Sequence, residues 1–221
     1  MIENLNVGAL VIDNNVLPRS LNFAHVGVLK NALLSGMALP PIIAEGCTRR
    51  VVDGLHRHKA YMELFGERHE IEVEFRDYAN ENELFLAAVG ANSEHGLPFS
   101  TYDRTRILVE AERRGIKREV ISNAIKMPVE KADKKIADGS AFVKAPAGTQ
   151  LRVPLRTGLK PLAGRRLTKA QIEANRKAGA MKVEYHCEAL ITLLRAGLLS
   201  WCSKNVRVAV ITLHKELAKQ V

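Results

Sequence analysis

One octapeptide, Asp53-Gly54-Leu55-His56-Arg57-His58-Lys59-Ala60, constrains the fold of this chain more than any other stretch. It follows the β-branched residues Val51-Val52 and precedes Tyr61, Leu64 and Phe65, which fall at helical spacing, so a strand is predicted to hand over to a helix at Gly54. Glycine lets backbone approach a ligand closely, the new helix offers unpaired N–H groups, and His56 and Arg57 add cationic donors. That combination suits a phosphate. Asp53 stands beside it and could hold a metal ion or orient a hydroxyl. The same residues also fit an ordinary strand–helix turn, with Gly54 as punctuation and the charges solvated.

The flanking pattern predicts a small α/β unit. Val7–Ile12 reads as a strand closed by Asp13-Asn14-Asn15. Phe23, Val26, Leu29, Leu33 and Leu34 predict a helix within 20–35, with Ser20 or Asn22 as cap and Gly36 as terminator. Pro40-Pro41-Ile42-Ile43-Ala44 opens a strand, Gly46 a turn, and Arg50-Val51-Val52 the return strand of a hairpin. Ile71-Glu72-Val73-Glu74-Phe75 alternates strictly, as a half-buried strand does, and a helix from Asn82 to Ala91 follows.

Residues 97–138 read as helical, with Ser100 or Thr101 capping a helix that Gly115 stops, and two shorter helices after it. Residues 118–136 can be laid on a helix-turn-helix template, with Ile121, Ile125, Met127 and Ala132 seating one helix on the other. Lys126 then occupies the turn position where glycine is preferred, and Pro128 fits only as an early residue of the second helix. A generic helical packing unit with a solvated basic face is the alternative. Residues 139–166 hold four glycines, three prolines and six basic residues with no acidic one, which predicts an extended linker or basic arm. Thr168-Lys169-Ala170-Gln171 fits a capping box that opens a helical region over 167–221. There, Val183, Cys187, Leu190, Ile191, Leu194, Leu198 and Leu199 form an apolar stripe beside Trp201, suited equally to a core helix or a homodimer seam, while Val206–Leu213 alternates as a strand would.

Charge divides the 221 residues unevenly. Residues 1–100 carry 8 Lys/Arg against 13 Asp/Glu, and residues 101–221 carry 25 against 11, so the halves stand at −5 and +14. An excess that lopsided favours a polyanionic partner, duplex DNA first among them. Candidate phosphate contacts are Arg113, Arg114, Lys117, Arg118, Lys126, Lys131, Lys134 and Lys135, with Arg165 and Arg166 in the arm. The hydrophobic content of 47% supports a packed core, and Met37–Ala44 is far too short to span a membrane. Cys47, Cys187 and Cys202 have no metal-type spacing, His186 and Cys187 have no further ligands nearby, and no secretory pattern opens the sequence; a reducing, nucleoid-associated cytoplasmic setting without a bound metal site is expected.

Gly54-Leu55-His56-Arg57-His58-Lys59-Ala60 resembles the Gly-x-x-Arg-x-x-Ala turn of the ParB/sulfiredoxin superfamily. Pro18-Arg19, Leu39-Pro40-Pro41-Ile42 and Asn92-Ser93-Glu94-His95-Gly96-Leu97-Pro98, followed by Ser100 and Asp103-Arg104, resemble further segments of ParB-like proteins in the same order, so the likeness covers residues 5 to about 137. It implies an α/β ParB/sulfiredoxin-like domain over 1–96 followed by a helix-turn-helix-like all-helical region, α+β overall. It also implies a nucleotide, CTP or ATP with Mg2+, held by Arg19, Asp53, Gly54, His56, Arg57, Asn92, Glu94 and His95. Sulfiredoxin-like chemistry needs a cysteine where this chain has Leu55, which offers no nucleophile. Segregation-type ParB proteins carry Gly-Glu-Arg-Arg and Glu-Asn-x-x-Arg where this chain has Gly-Leu-His-Arg and Asn-Ser-Glu-His. The Asp-Gly-x-His-Arg form is similar to the free-serine kinase branch, which keeps an ATP-dependent phosphotransferase, or a nuclease, as the alternative to a DNA-binding regulator or a plasmid, phage or chromosome maintenance protein. An enzyme would need a base, with Asp13, Glu45 and Asp53 as candidates and Asp53 the catalytic choice.

Overall fold

Glu70–Arg76 is the strand on which the first sheet is assembled. In the computed structural model, which describes residues 1–94, 98–145 and 148–177, this strand (β4) pairs antiparallel with Ile2–Asn6 (β1) and parallel with Ile42–Glu45 (β2). Val51–Asp53 (β3) closes the predicted hairpin on β2, so the sheet order is β1-β4-β2-β3. Strand alternation sorts the side chains. Ile42, Ala44, Val51, Ile71 and Val73 pack under the helix Leu55–Phe65 (α2), where Leu55, Tyr61 and Met62 meet them, while Ile43 and Val52 face the helix Glu81–Glu94 (α3) through Leu84 and Ala88. The helix Phe23–Leu34 (α1), capped by the Asn22 side chain on the His25 N–H, lies beside α2.

The Val7–Ile12 run departs from its predicted strand. Val7–Ala9 is a short 3-10 turn whose Val7 and Gly8 N–H groups donate to the His69 and Glu67 carbonyls, and Val11 makes only an isolated bridge to Arg50. Val7 and Leu10 are buried as an apolar run requires, but a Cβ on Gly8 would stand 2.7 Å from the Glu67 Cβ; the close crossing uses the glycine to plug the end of the sheet.

No gap separates the sheet from the helices that follow. One side of α3 covers the sheet; Phe85 and Val89 on its other side join Ile107, Leu108 and Ala111 of Thr101–Arg113 (α4), Ile121 of Arg118–Ala124 (α5), and Ala132 and Ile136 of Val129–Gly139 (α6) in a second core. Residues 1–172 are therefore one compact unit, in which the boundary expected at residue 96 runs along a shared helix. Lys126 adopts φ +52° in the turn between α5 and α6, and Pro128 is the residue before α6 begins.

Residues 139–166, expected as an extended linker, instead form a hairpin of Ser140–Lys144 (β5) and Gln150–Pro154 (β6) followed by a 3-10 turn at Thr157–Leu162. Ala141, Leu155 and Leu167 make a small core of their own. Gly148 and Gly164 mark turns here, both at positive φ. Two of the basic residues are likewise used within the fold: Arg152 pairs with Glu112 at 3.1 Å and lies over Phe142, and the Arg156 guanidinium sits 3.5 Å from the Tyr102 ring centre. Thr168 and Gln171 form the predicted capping box of Lys169–Lys177 (α7). The second compact unit runs from Glu173 to Val221, and the apolar stripe, Trp201 and Val206–Leu213 lie outside the described residues. Among the described residues no helix is long and apolar enough to cross a membrane.

Candidate phosphate cavity and basic helical face

Gly54 turns the chain at φ +102°, which β-branched and bulky residues do not tolerate, and its missing side chain leaves room for the Arg57 guanidinium and the Ile42 side chain, each 3.1 Å from where a Cβ would stand. The turn leaves the start of α2 without a side-chain cap. Its first N–H groups, which have no partner within a helix, face the end where the helix dipole is positive. Around them is a cavity of about 410 Å³ lined by Arg19, His25, Asp53, Gly54, His56, Arg57 and Asn92, with Pro40, Pro41 and Leu29 as apolar wall. The turn thus meets the sequence-distant Arg19 and Asn92 at one cavity.

The side chains take roles that the spacing alone does not show. Arg57 does not reach freely into the cavity: its Nη1 donates to the Pro40 and Pro41 carbonyls at 2.7 and 2.6 Å, and its Nη2 to Asp53 Oδ2 at 2.8 Å. It fastens the proline segment to the turn. His56, expected as a cationic donor, is corrected to a neutral acceptor. Its Nε2 accepts the Asn22 N–H at 3.0 Å, and burial, with His25 and Arg19 nearby, pushes its pKa down to about 4. His58 points the other way, bonding the Val7 carbonyl at 3.2 Å, and burial lowers its pKa too.

Arg19 is the buried cation of the site. Only 8% exposed, it donates from Nη2 to the Asn92 carbonyl at 2.9 Å and stacks over Phe99, while its Nε is buried with no hydrogen-bond partner among the described residues. Burial lowers its pKa against the opposing pull of Asp103 and Asp53. Asn92 is fixed from within α3, its amide donating to the Ala88 carbonyl at 2.8 Å. Of the three carboxylates considered as a base, only Asp53 lines the cavity; Glu45 and Asp13 pair with Arg50 at 2.9 and 3.5 Å. His95 and the side chain of Glu94 lie outside the described residues. His25, which meets His56 edge-on at 5.1 Å, was not anticipated. It stands 31 residues from its partner, and only the packing of α1 on α2 brings the rings together.

The predicted DNA contacts divide in two. Arg114 is spent inside the fold, on Glu110 at 2.9 Å, the Asn15 and Glu81 carbonyls and the Phe85 ring, and it is corrected to a tie between α4 and the α/β part. Arg113 pairs with Glu110, and Arg118 with Glu112 and Asp133. Lys131 and Lys134, by contrast, stand exposed on α6 with Lys135 beside them, and no ion pair engages these three among the described residues. Lys117 precedes α5, Lys126 is exposed in the turn, and Arg165 and Arg166 are exposed after the 3-10 turn.

No family model matches the chain. Two curated relatives do. The transcriptional regulator NovG of Streptomyces niveus is 33% identical over 102 residues, covering 46% of this chain and 30% of that protein. A possible regulatory protein of the streptomycin biosynthesis operon of Streptomyces griseus is 39% identical over 95 residues, covering 41% and 26%. The matches thus span less than a third of either relative. Among solved structures, C-terminally truncated ParB of Caulobacter crescentus is similar at 13% identity, with a TM-score of 0.44 in its complex with the centromeric parS site, covering 61% of this chain and 70% of that one. The form with CTP-gamma-S has a TM-score of 0.37, covering 62% and 77%. With its turn, Pro-Arg and Asn-x-x-His-Gly-Leu-Pro motifs in order on an α+β frame, the chain is similar to ParB-like proteins over part of its length.

Proposed function

We propose that this chain is a DNA-binding regulator of the ParB-like type, acting in transcription control or in plasmid, phage or chromosome maintenance at the nucleoid. The observation that carries the reading is the lysine face of α6: Lys131, Lys134 and Lys135, unpaired with carboxylates among the described residues, in a half of the chain with a net charge of +14. Lysine faces of this kind bind duplex phosphates and set position more than sequence. The relatives named as regulators support the same reading.

The cavity at Gly54 is proposed to take the phosphates of a nucleotide, CTP or ATP with Mg2+. Its donor set fits an anion: an uncapped helix start and a buried arginine whose Nε lacks a partner. Asp53 keeps Oδ1 without a hydrogen bond among the described residues and would be the carboxylate beside a phosphate-bound magnesium ion, which supplies charge neutralisation when present. Arg57 then acts as the brace of the turn. The nucleotide would bias a homodimeric or duplex-bound state.

Duplex affinity measured against salt tests the reading. Each neutralised phosphate contributes a slope of about 0.9 in log–log form, so Lys131→Gln, Lys134→Gln and Lys135→Gln together should lower the slope by about 2 to 3. Binding that ignores salt, or a triple variant with the wild-type slope, would reject it. Repeating the titration with CTP or ATP and Mg2+ tests the nucleotide: a shift in affinity supports it, and none at millimolar concentration rejects it.

A further inference from the structure

A second cavity, of about 390 Å³, lies between α4, α6 and the 3-10 turn, away from Gly54. Five cationic chains line it, Arg104 from α4, Lys131, Lys134 and Lys135 from α6 and Lys160 from the 3-10 turn, against the single carboxylate of Asp138. None of the five is in an ion pair among the described residues, although Arg113, Arg114, Arg118 and Arg152 close by each have a carboxylate partner. The contrast is informative, because these four neighbouring arginines are paired while the five cavity charges are left to repel one another.

Two further observations concern the cations that line the cavity. Arg104 Nε is buried and has no hydrogen-bond partner among the described residues, a state that buried polar groups rarely keep. Lys135 is held below the ordinary lysine pKa, first by burial and then by Arg104 and Lys160. The volume is within the range of ligand pockets and the lining is concave, contributed by three elements, unlike the outer face of a single helix. An arginine fork with surrounding ammonium groups matches a tetrahedral oxyanion of high charge.

We propose that this cavity is a binding site for a phosphoanion, either a free polyphosphate-bearing ligand or a backbone phosphate that a duplex pushes into it. The proposal does not depend on the nucleotide reading of the first cavity, since no lining residue is shared, whereas its duplex source rests on the reading of Lys131, Lys134 and Lys135 as phosphate contacts. Inorganic tripolyphosphate is the probe. It should bind the full chain and raise Tm by about 5 °C or more at a hundredfold excess over Kd. The double variant Arg104→Gln/Lys135→Gln should bind at least tenfold more weakly while keeping the wild-type Tm without ligand, and Arg104→Lys/Lys135→Arg should recover most of the affinity.

Failure of the wild type to bind the probe overturns the proposal, as does a glutamine double variant that binds it unchanged. A duplex titrated into the loaded protein distinguishes the two sources. Release of tripolyphosphate assigns the site to backbone phosphates, and its retention assigns it to a free ligand.

Discussion

At the scale of single residues, His56 shows how one contact inverts an expected role. A histidine entering a helix beside a phosphate-binding turn is easily read as a cation, yet its Nε2 is committed to the Asn22 N–H, and protonation would break that bond. With a folded pKa of about 4 against an ordinary 6.5, the unfolded chain binds more protons between those values. Stability from this group is therefore complete above pH 6.5 and is lost as pH falls toward 4, by at most about 3 kcal/mol. His58 shifts in the same direction and adds to the slope. Denaturant titrations from pH 7 to 4 should show a flatter loss for His56→Gln than for the wild type, and identical slopes would contradict the assignment. The sequence displayed the turn itself, since Val51-Val52 runs into Gly54 and then a helical repeat, but it did not display Arg19 as a buried cation or His25 as a wall of the cavity. Both depend on burial and on segments far apart in the chain, which local spacing does not encode.

At the scale of elements, α4 holds the helical part to the turn that carries Arg19. Ser100 and Asp103 form a capping box, and the same Asp103 carboxylate also accepts the Ser20 N–H and hydroxyl at 3.1 and 3.2 Å. Asp103→Ala strands four donors at once and should cost about 3 kcal/mol, as hydrogen bonds to a buried charge do, against about 1 kcal/mol for Ser100→Ala. Equal losses in thermal unfolding would show that the bridge to Ser20 contributes nothing. Helices of this kind were legible because cap, periodicity and stop signal agree, as at Ser100, Ile107 and Gly115. The hairpin of β5 and β6 was not, because the six basic residues of 139–166 suggest solvent, whereas Arg152 and Arg156 cover aromatic rings. Nor was β1 legible: Ile2–Asn6 has polar residues on both faces and becomes a strand only through β4.

At the scale of the whole molecule, the two cores share one helix. A chain ending at residue 96 would expose Phe85 and Val89, whose burial contributes about 1.5 to 3 kcal/mol each, together with the bonds from Arg106 to the Leu17 carbonyl and Arg114 to the Asn15 carbonyl. Such a fragment should melt well below a chain of residues 1–172; equal melting points would show two independent domains. The sheet order has an effect of another kind, during synthesis. β1 pairs only with β4, so Ile2–Asn6 has no partner until Arg76 has left the ribosome. At about 5 to 20 residues per second, that wait lasts roughly 4 to 15 s. Glu3, Asn4 and Asn6 keep the waiting segment hydrophilic, and so guard a nascent strand against pairing with neighbouring polysomal copies before its own partner emerges.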